Sequence, residues 1–93
     1  MNKEEARGIL GRELGKYRGR SFAELKRLLE VQETFELTGE SGAVYGLEFQ
    51  AVWDDRKKTT LRVMGSIDDG RWSAFHPLTE SFLIRADGSF VGE

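Results

Sequence analysis

The sequence predicts an α+β fold in which two N-terminal helices pack on one face of an antiparallel β-meander of about five strands. Three observations carry that expectation. Apolar residues recur at helical spacing up to residue 30, the hydrophobic period changes to two from Val31 onward, and turn residues interrupt the remainder at short intervals. The 93 residues are sized for one domain, since two separate cores of half that length would bury too little surface.

The first helix is expected over residues 3–17, where Ala6, Ile9, Leu10, Leu14 and Tyr17 share one face. Asn2 is placed to cap it, and Glu4 and Glu5 lie where the helix dipole favours acids. Glycine opposes this helix. Gly8, Gly11 and Gly15 also recur at spacings of three and four, each costing about 1 kcal/mol relative to alanine. Gly19 separates a second helix over residues 21–30, opened by the capping box Ser21-Phe22-Ala23-Glu24 and carrying Leu25, Leu28 and Leu29.

Strands are expected at 31–38, 43–53, 59–68, 71–76 and 80–86, with a short terminal strand at 89–92. In the second, Tyr45, Leu47, Phe49, Ala51 and Trp53 share a face. A loop from Gly39 to Ala43 sets Leu37 opposite Tyr45 and Phe35 opposite Leu47. A loop from Asp54 to Lys58 sets Phe49 opposite Val63 and Tyr45 opposite Ile67. Asp69-Gly70 reads as a two-residue hairpin that pairs Trp72 with Ile67 and Ala74 with Gly65, leaving a shallow spot on the core face at Gly65. His76-Pro77 ends that strand, and Asp87-Gly88 turns the chain back toward Phe90.

Composition excludes several functions. The chain has no cysteine, which removes disulfide, zinc–thiolate and thiol chemistry. No stretch approaches a membrane span, and the N-terminus lacks an apolar signal core, so a cytoplasmic protein is expected. The net charge of −2 and pI near 5.5 argue against a dedicated nucleic-acid module. Residues 1–30 nevertheless hold eight Lys and Arg against five acids, net +3, while the rest hold six against eleven, net −5. Arg7, Arg12, Lys16, Arg18 and Arg20 could form a basic ridge, but exposed aromatics do not interleave with them as a nucleic-acid platform requires.

Gly65-Ser66-Ile67-Asp68-Asp69-Gly70, Trp72, Phe75, Phe82 and the closing Asp87-Gly88-Ser89-Phe90-Val91-Gly92-Glu93 form a recognisable tail. That tail resembles a group of small bacterial proteins for which no function is established. The resemblance implies a bacterial origin and transfers no activity.

Candidate chemistry is sparse, and no catalytic, cofactor-binding or metal-ligating set stands out. His76 is the only histidine, and a meander would place it at the same end of the sheet as Asp54. With Trp53 and Tyr45 they would line a small-ligand or enzyme pocket between helices and sheet, although no second histidine or nucleophile accompanies them. The acid pairs Asp54-Asp55 and Asp68-Asp69 are separated by a whole strand, roughly 30 Å at ~3.3 Å per residue, and cannot share an ion. Each also suits a β-turn.

Two surfaces point instead to a protein partner or to self-association as a homodimer. Gly8, Gly11 and Gly15 leave a flat groove on the first helix that another backbone could approach. On the sheet face away from the helices, Val44, Val52, Met64 and Phe75 stand among polar residues, and exposed apolar patches of that kind mark interaction sites. A protein-interaction module is therefore the expected function, with the pocket near His76 as the rival and the N-terminal arginines as a third possibility.

Overall fold

The computed structural model describes residues 1–71 and 76–93. Helix α1 (Lys3–Arg18) is followed by the short α2 (Phe22–Lys26), which tightens into a 3-10 turn (Arg27–Leu29). Four strands follow: β1 (Glu33–Thr38), β2 (Val44–Trp53), β3 (Thr60–Asp68) and β4 (Leu78–Arg85). They form one antiparallel sheet in sequence order, so the α+β class and the meander stand, with four strands rather than about five among the described residues.

The helix ends follow local chemistry. The Asn2 side chain accepts from the Glu5 amide at 3.1 Å, and the Ser21–Glu24 capping box is formed in both directions. Gly19 closes α1. The amides of Glu30 and Val31 still bond back to the Arg27 carbonyl, which delays β1 to residue 33 and leaves Val31 71% exposed.

Register separates what the turns specified from what they did not. β1 and β2 pair as expected, with Leu37 opposite Tyr45 and Phe35 opposite Leu47. Between β2 and β3 the pairing is displaced by two residues: Phe49 faces Gly65 and Leu47 faces Ile67. The cause lies in the loop. The Asp55 carboxylate accepts the amides of Thr59 and Thr60 at 2.9 and 3.0 Å and the Thr59 hydroxyl, Lys58 takes a left-handed φ of 58°, and the hairpin closes at Asp54–Thr60. A shift of two keeps every side chain on its face, so the apolar surface stays continuous.

The hairpin expected at Asp69-Gly70 does not form. β3 pairs with β4, bringing Ile67 opposite Leu78 and Gly65 opposite Glu80, in place of Trp72 and Ala74. Asp68 and Asp69 each accept an amide two residues on, from Gly70 at 2.8 Å and Arg71 at 3.1 Å. These successive side-chain turns lead the chain out of the strand rather than back along it. Of the strand expected at 71–76, Arg71 and His76 are bends, and Trp72, Ala74 and Phe75 lie outside the described residues. The strand expected at 80–86 is β4, starting directly after Pro77, and the terminal strand reduces to a single bridge between Ile84 and Phe90.

The core lies on one side of the sheet. Ala6, Ile9, Leu10, Leu14 and Tyr17 of α1 are buried against inward residues of the strands, chiefly β3 and β4, while the 3-10 turn covers β2. Tyr17 stacks on Phe49 with ring centroids 4.2 Å apart, and Phe35 stacks beyond it at 5.9 Å, so three rings run from the helix to the sheet edge. Gly65 makes this packing possible. A Cβ there would lie 2.5 Å from the Phe49 ring and 3.1 Å from Leu10. The shallow spot inferred at Gly65 is therefore filled by a large ring, although its neighbour across the strand is Glu80.

Gly65→Ala should cost about 1–3 kcal/mol, because neither the Phe49 ring nor the helix above it can withdraw freely. Urea unfolding should show a lower midpoint at unchanged slope, and a midpoint equal to the parent's would show that the contact is not tight.

Candidate functional site

β-strand alternation gives the sheet two faces, and the helices occupy only one. The other presents Thr34 and Glu36 from β1, Val44, Glu48, Gln50 and Val52 from β2, Arg62, Met64 and Ser66 from β3, and Thr79, Ser81 and Leu83 from β4. Val44 and Val52 are 50% and 43% exposed, and Met64 and Leu83 are half-buried. A shallow groove of about 230 Å³ runs across its centre, lined by Glu48, Gln50, Arg62, Met64, Ser66 and Ser81.

Charge divides this face. Arg62 is held by Asp54, with guanidinium–carboxylate distances of 2.8 and 3.0 Å, and also reaches Ser81 at 3.3 Å, so its charge is offset. Glu36 and Asp68 flank the bare backbone of Gly46 along one cross-strand row, and Glu48 lies in the next. The end of the face nearer the β1–β2 turn is thus acidic, and a second shallow depression lies there between Thr34, Glu48, Ser66 and Asp68.

The proposed pocket of His76, Asp54, Trp53 and Tyr45 is not assembled. Trp53 and Asp54 sit at the end of the sheet where Trp53 pairs with Leu61, whereas Tyr45 and His76 lie toward the other end, where Ile67 pairs with Leu78. Six residue steps along β3 part the two ends, roughly 20 Å. The displaced hairpin is the reason: the chain reaches the far end of β3 before His76, and β4 starts there. His76 is exposed, Trp53 packs near Phe22, and Asp54 serves Arg62. No group of three His, Asp or Glu among the described residues is arranged to hold a metal ion.

Tyr45 has a different role. Its buried ring directs its hydroxyl to the Glu5 carboxylate at 2.6 Å, and Ser41 donates to the same carboxylate from its amide at 3.0 Å and its hydroxyl at 2.6 Å. These donors, the Ser41 hydroxyl foremost, hold the Glu5 carboxyl below its ordinary value. Gly39 makes room, since a Cβ there would meet the Glu5 carboxylate at 2.5 Å. Sequence reasoning missed this clamp, because its partners lie 36 and 40 residues apart, Glu5 and Ser41 alone are ordinary polar residues, and Tyr45 reads as a core residue.

The basic ridge is largely spent on structure. Arg20 binds Glu33 through both oxygens at 2.9 and 3.2 Å and lies over the Tyr17 ring, whose hydroxyl donates to Glu33 at 2.7 Å. Burial, then the bond to Glu33, pushes the Tyr17 phenol far up. Arg18 sits over Phe82 and Phe90 and pairs with Glu93. Lys16 lies 2.8 Å from buried Glu13, with Arg12 at 3.8 Å. Arg7 alone of the five has no partner among the described interactions.

Gly8, Gly11 and Gly15 face away from the core: a Cβ at Gly8 or Gly15 would meet nothing within 4 Å, and one at Gly11 only the Glu80 carboxylate at 3.9 Å. The chain's own sheet does not use that groove. No helix among the described residues is long and apolar enough to cross a membrane.

No protein-family model, curated protein or solved structure matches the chain.

The Glu5 clamp has a pH signature. Its folded value lies below the unfolded one, so the clamp's contribution is complete above the ordinary glutamate value of 4.5 and disappears as pH falls through the folded value. Glu5→Gln should lower the thermal midpoint at neutral pH and reduce the drop in midpoint on acidification below that value. A parallel acid limb in parent and variant would show that Glu5 contributes nothing.

Proposed function

We propose that this chain is a protein-docking module that uses the uncovered face of its sheet. What supports the reading is the placement of Val44, Val52, Met64 and Leu83 on a face that no element among the described residues covers. The opposite face already takes α1 and the 3-10 turn, so Val44 and Val52 stay exposed and Met64 and Leu83 are only half-buried. Val52, Met64 and Leu83 neighbour one another across β2, β3 and β4, with Val44 at the far end of β2, and apolar groups left in water on one surface favour a partner, which gains by removing them from it.

Glu36, Glu48 and Asp68 define the partner's chemistry further. A surface with an apolar patch at one end and basic groups toward the other would match both Val52, Met64 and Leu83 and the carboxylates, and its cations would lower the mutual repulsion of the acids. Arg62 adds little selectivity because Asp54 already neutralises it.

A pair of synthetic peptides tests this. Both carry the same apolar residues, one flanked by lysines and the other by glutamates. The lysine peptide should shift amide resonances of Val44, Gly46, Glu48, Val52 and Met64, and the glutamate peptide should not. Val52→Lys should weaken binding at least tenfold, about 1.4 kcal/mol, with little change in stability because the side chain is exposed. Shifts confined to the helices, or none with either peptide, would remove the reading.

A further inference from the structure

The two edges of the sheet are finished differently. In β4 the odd-numbered residues direct their backbone groups outward, and the following segment takes up part of that edge: the Arg85 amide donates to the Ser89 carbonyl at 2.8 Å, and the Val91 amide donates to the Leu83 carbonyl at 3.0 Å. β1 has no such cover among the described residues. The Gly39 amide donates to the Ala43 carbonyl at 2.8 Å, so by strand alternation the odd residues of β1 bond to β2 and the even ones point away. Thr34, Glu36 and Thr38 therefore offer their amides and carbonyls to the outside, and no hydrogen bond takes them among the described residues. β1 contains neither proline nor lysine, the residues that commonly blunt such an edge.

The same edge is where the aromatic series ends. Tyr17, Phe49 and Phe35 stack in turn, and the Phe35 ring is half-buried, with no further ring beyond it among the described residues. We propose that two copies of this chain join edge to edge through β1, antiparallel and centred on Phe35, into one eight-stranded sheet.

Register follows from three conditions. Each residue must oppose one of the same face, the outward-pointing even residues must meet each other, and the overlap must span most of the strand. Two registers satisfy these. One centres on Glu36 and sets two carboxylates directly opposite, which is unfavourable. The other centres on Phe35, pairs Thr34 with Glu36 of the second copy in both directions, and brings the two Phe35 rings together at the closely spaced, non-hydrogen-bonded position. Extending it places exposed Val31 beside Gly39 of the second copy. The two-fold axis stands perpendicular to the sheet, so all helices lie on one side and the two open faces join on the other. The contact is short and gives a weak, concentration-dependent dimer. It uses the backbone edge of β1 rather than the apolar groups of the docking face, with which it shares only the Thr34 and Glu36 side chains, and stands whether or not that face binds a partner.

Light scattering across a micromolar-to-millimolar range should show a monomer–dimer equilibrium. Amide exchange on the unaltered chain should slow at Thr34 and Glu36 as concentration rises, while Phe35 and Leu37, already bonded to β2, stay protected throughout. Glu36→Pro removes an outward amide and no β1–β2 bond, so the monomer should keep its circular dichroism spectrum. Two symmetry-related ladder bonds are lost, and the dissociation constant should rise roughly thirtyfold. A strict monomer at every concentration overturns the proposal. So does association that leaves exchange at Thr34 and Glu36 unchanged, or that Met64→Lys abolishes and Glu36→Pro does not. If Glu36→Pro fails to fold, the exchange result on the unaltered chain decides alone.

Discussion

The packing of the Phe49 ring against the bare backbone of Gly65 is the contact on which the rest of this structure depends. It lets Leu10 and Tyr17 of α1 settle onto the sheet at a point where two central strands would otherwise hold the helix away. Once α1 is seated there, a single helix with one short continuation buries Phe49, Leu61, Val63 and Ile67 completely. The opposite face then has nothing left in the described chain to cover it. The open surface is a consequence of how few elements the described residues form.

Polar contacts at both ends of α1 hold that arrangement in place. Glu5 ties the N-terminal turn to the β1–β2 hairpin through Ser41 and Tyr45, while Tyr17 and Arg20 meet Glu33 at the start of β1. Arg18 adds a third attachment, lying over Phe82 and Phe90 and pairing with Glu93. Each exposed ion pair contributes little alone. Together with the aromatic contacts they fix the direction of the helix, and they use most of the cations that would otherwise suggest an anion-binding ridge.

Much of this fold is legible in the residues themselves. The Ser21–Glu24 box and the Asn2 cap are local features whose physics needs no tertiary context, and they appear where expected, while the strand expected from Val31 starts at Glu33. The β1–β2 register was readable because a short loop and two apolar strands admit one pairing. The later hairpins were not, because aspartate supports more than one turn. Asp55 capped Thr59 and Thr60 and widened its loop, and Asp68 and Asp69 capped Gly70 and Arg71 and led the chain away from β3. The pocket expected around His76 depended on that third hairpin, so the same error separated His76 from Asp54. Val44, Val52 and Met64 were readable as outward-facing because alternation survives a shift of two residues.

The helices-then-strands order, the face that the apolar residues of β2 and β3 occupy and the absence of cysteine chemistry were determined by the sequence alone, since they rest on spacing and composition. Tertiary structure decided which strand lies beside β3, that the Glu5 carboxylate meets Tyr45, and that, among the described residues, β1 rather than β4 keeps an uncovered edge. The physical reason is separation along the chain. Periodicity reports on neighbours a few residues apart, whereas these contacts join groups that only the assembled sheet and helix bring within bonding distance.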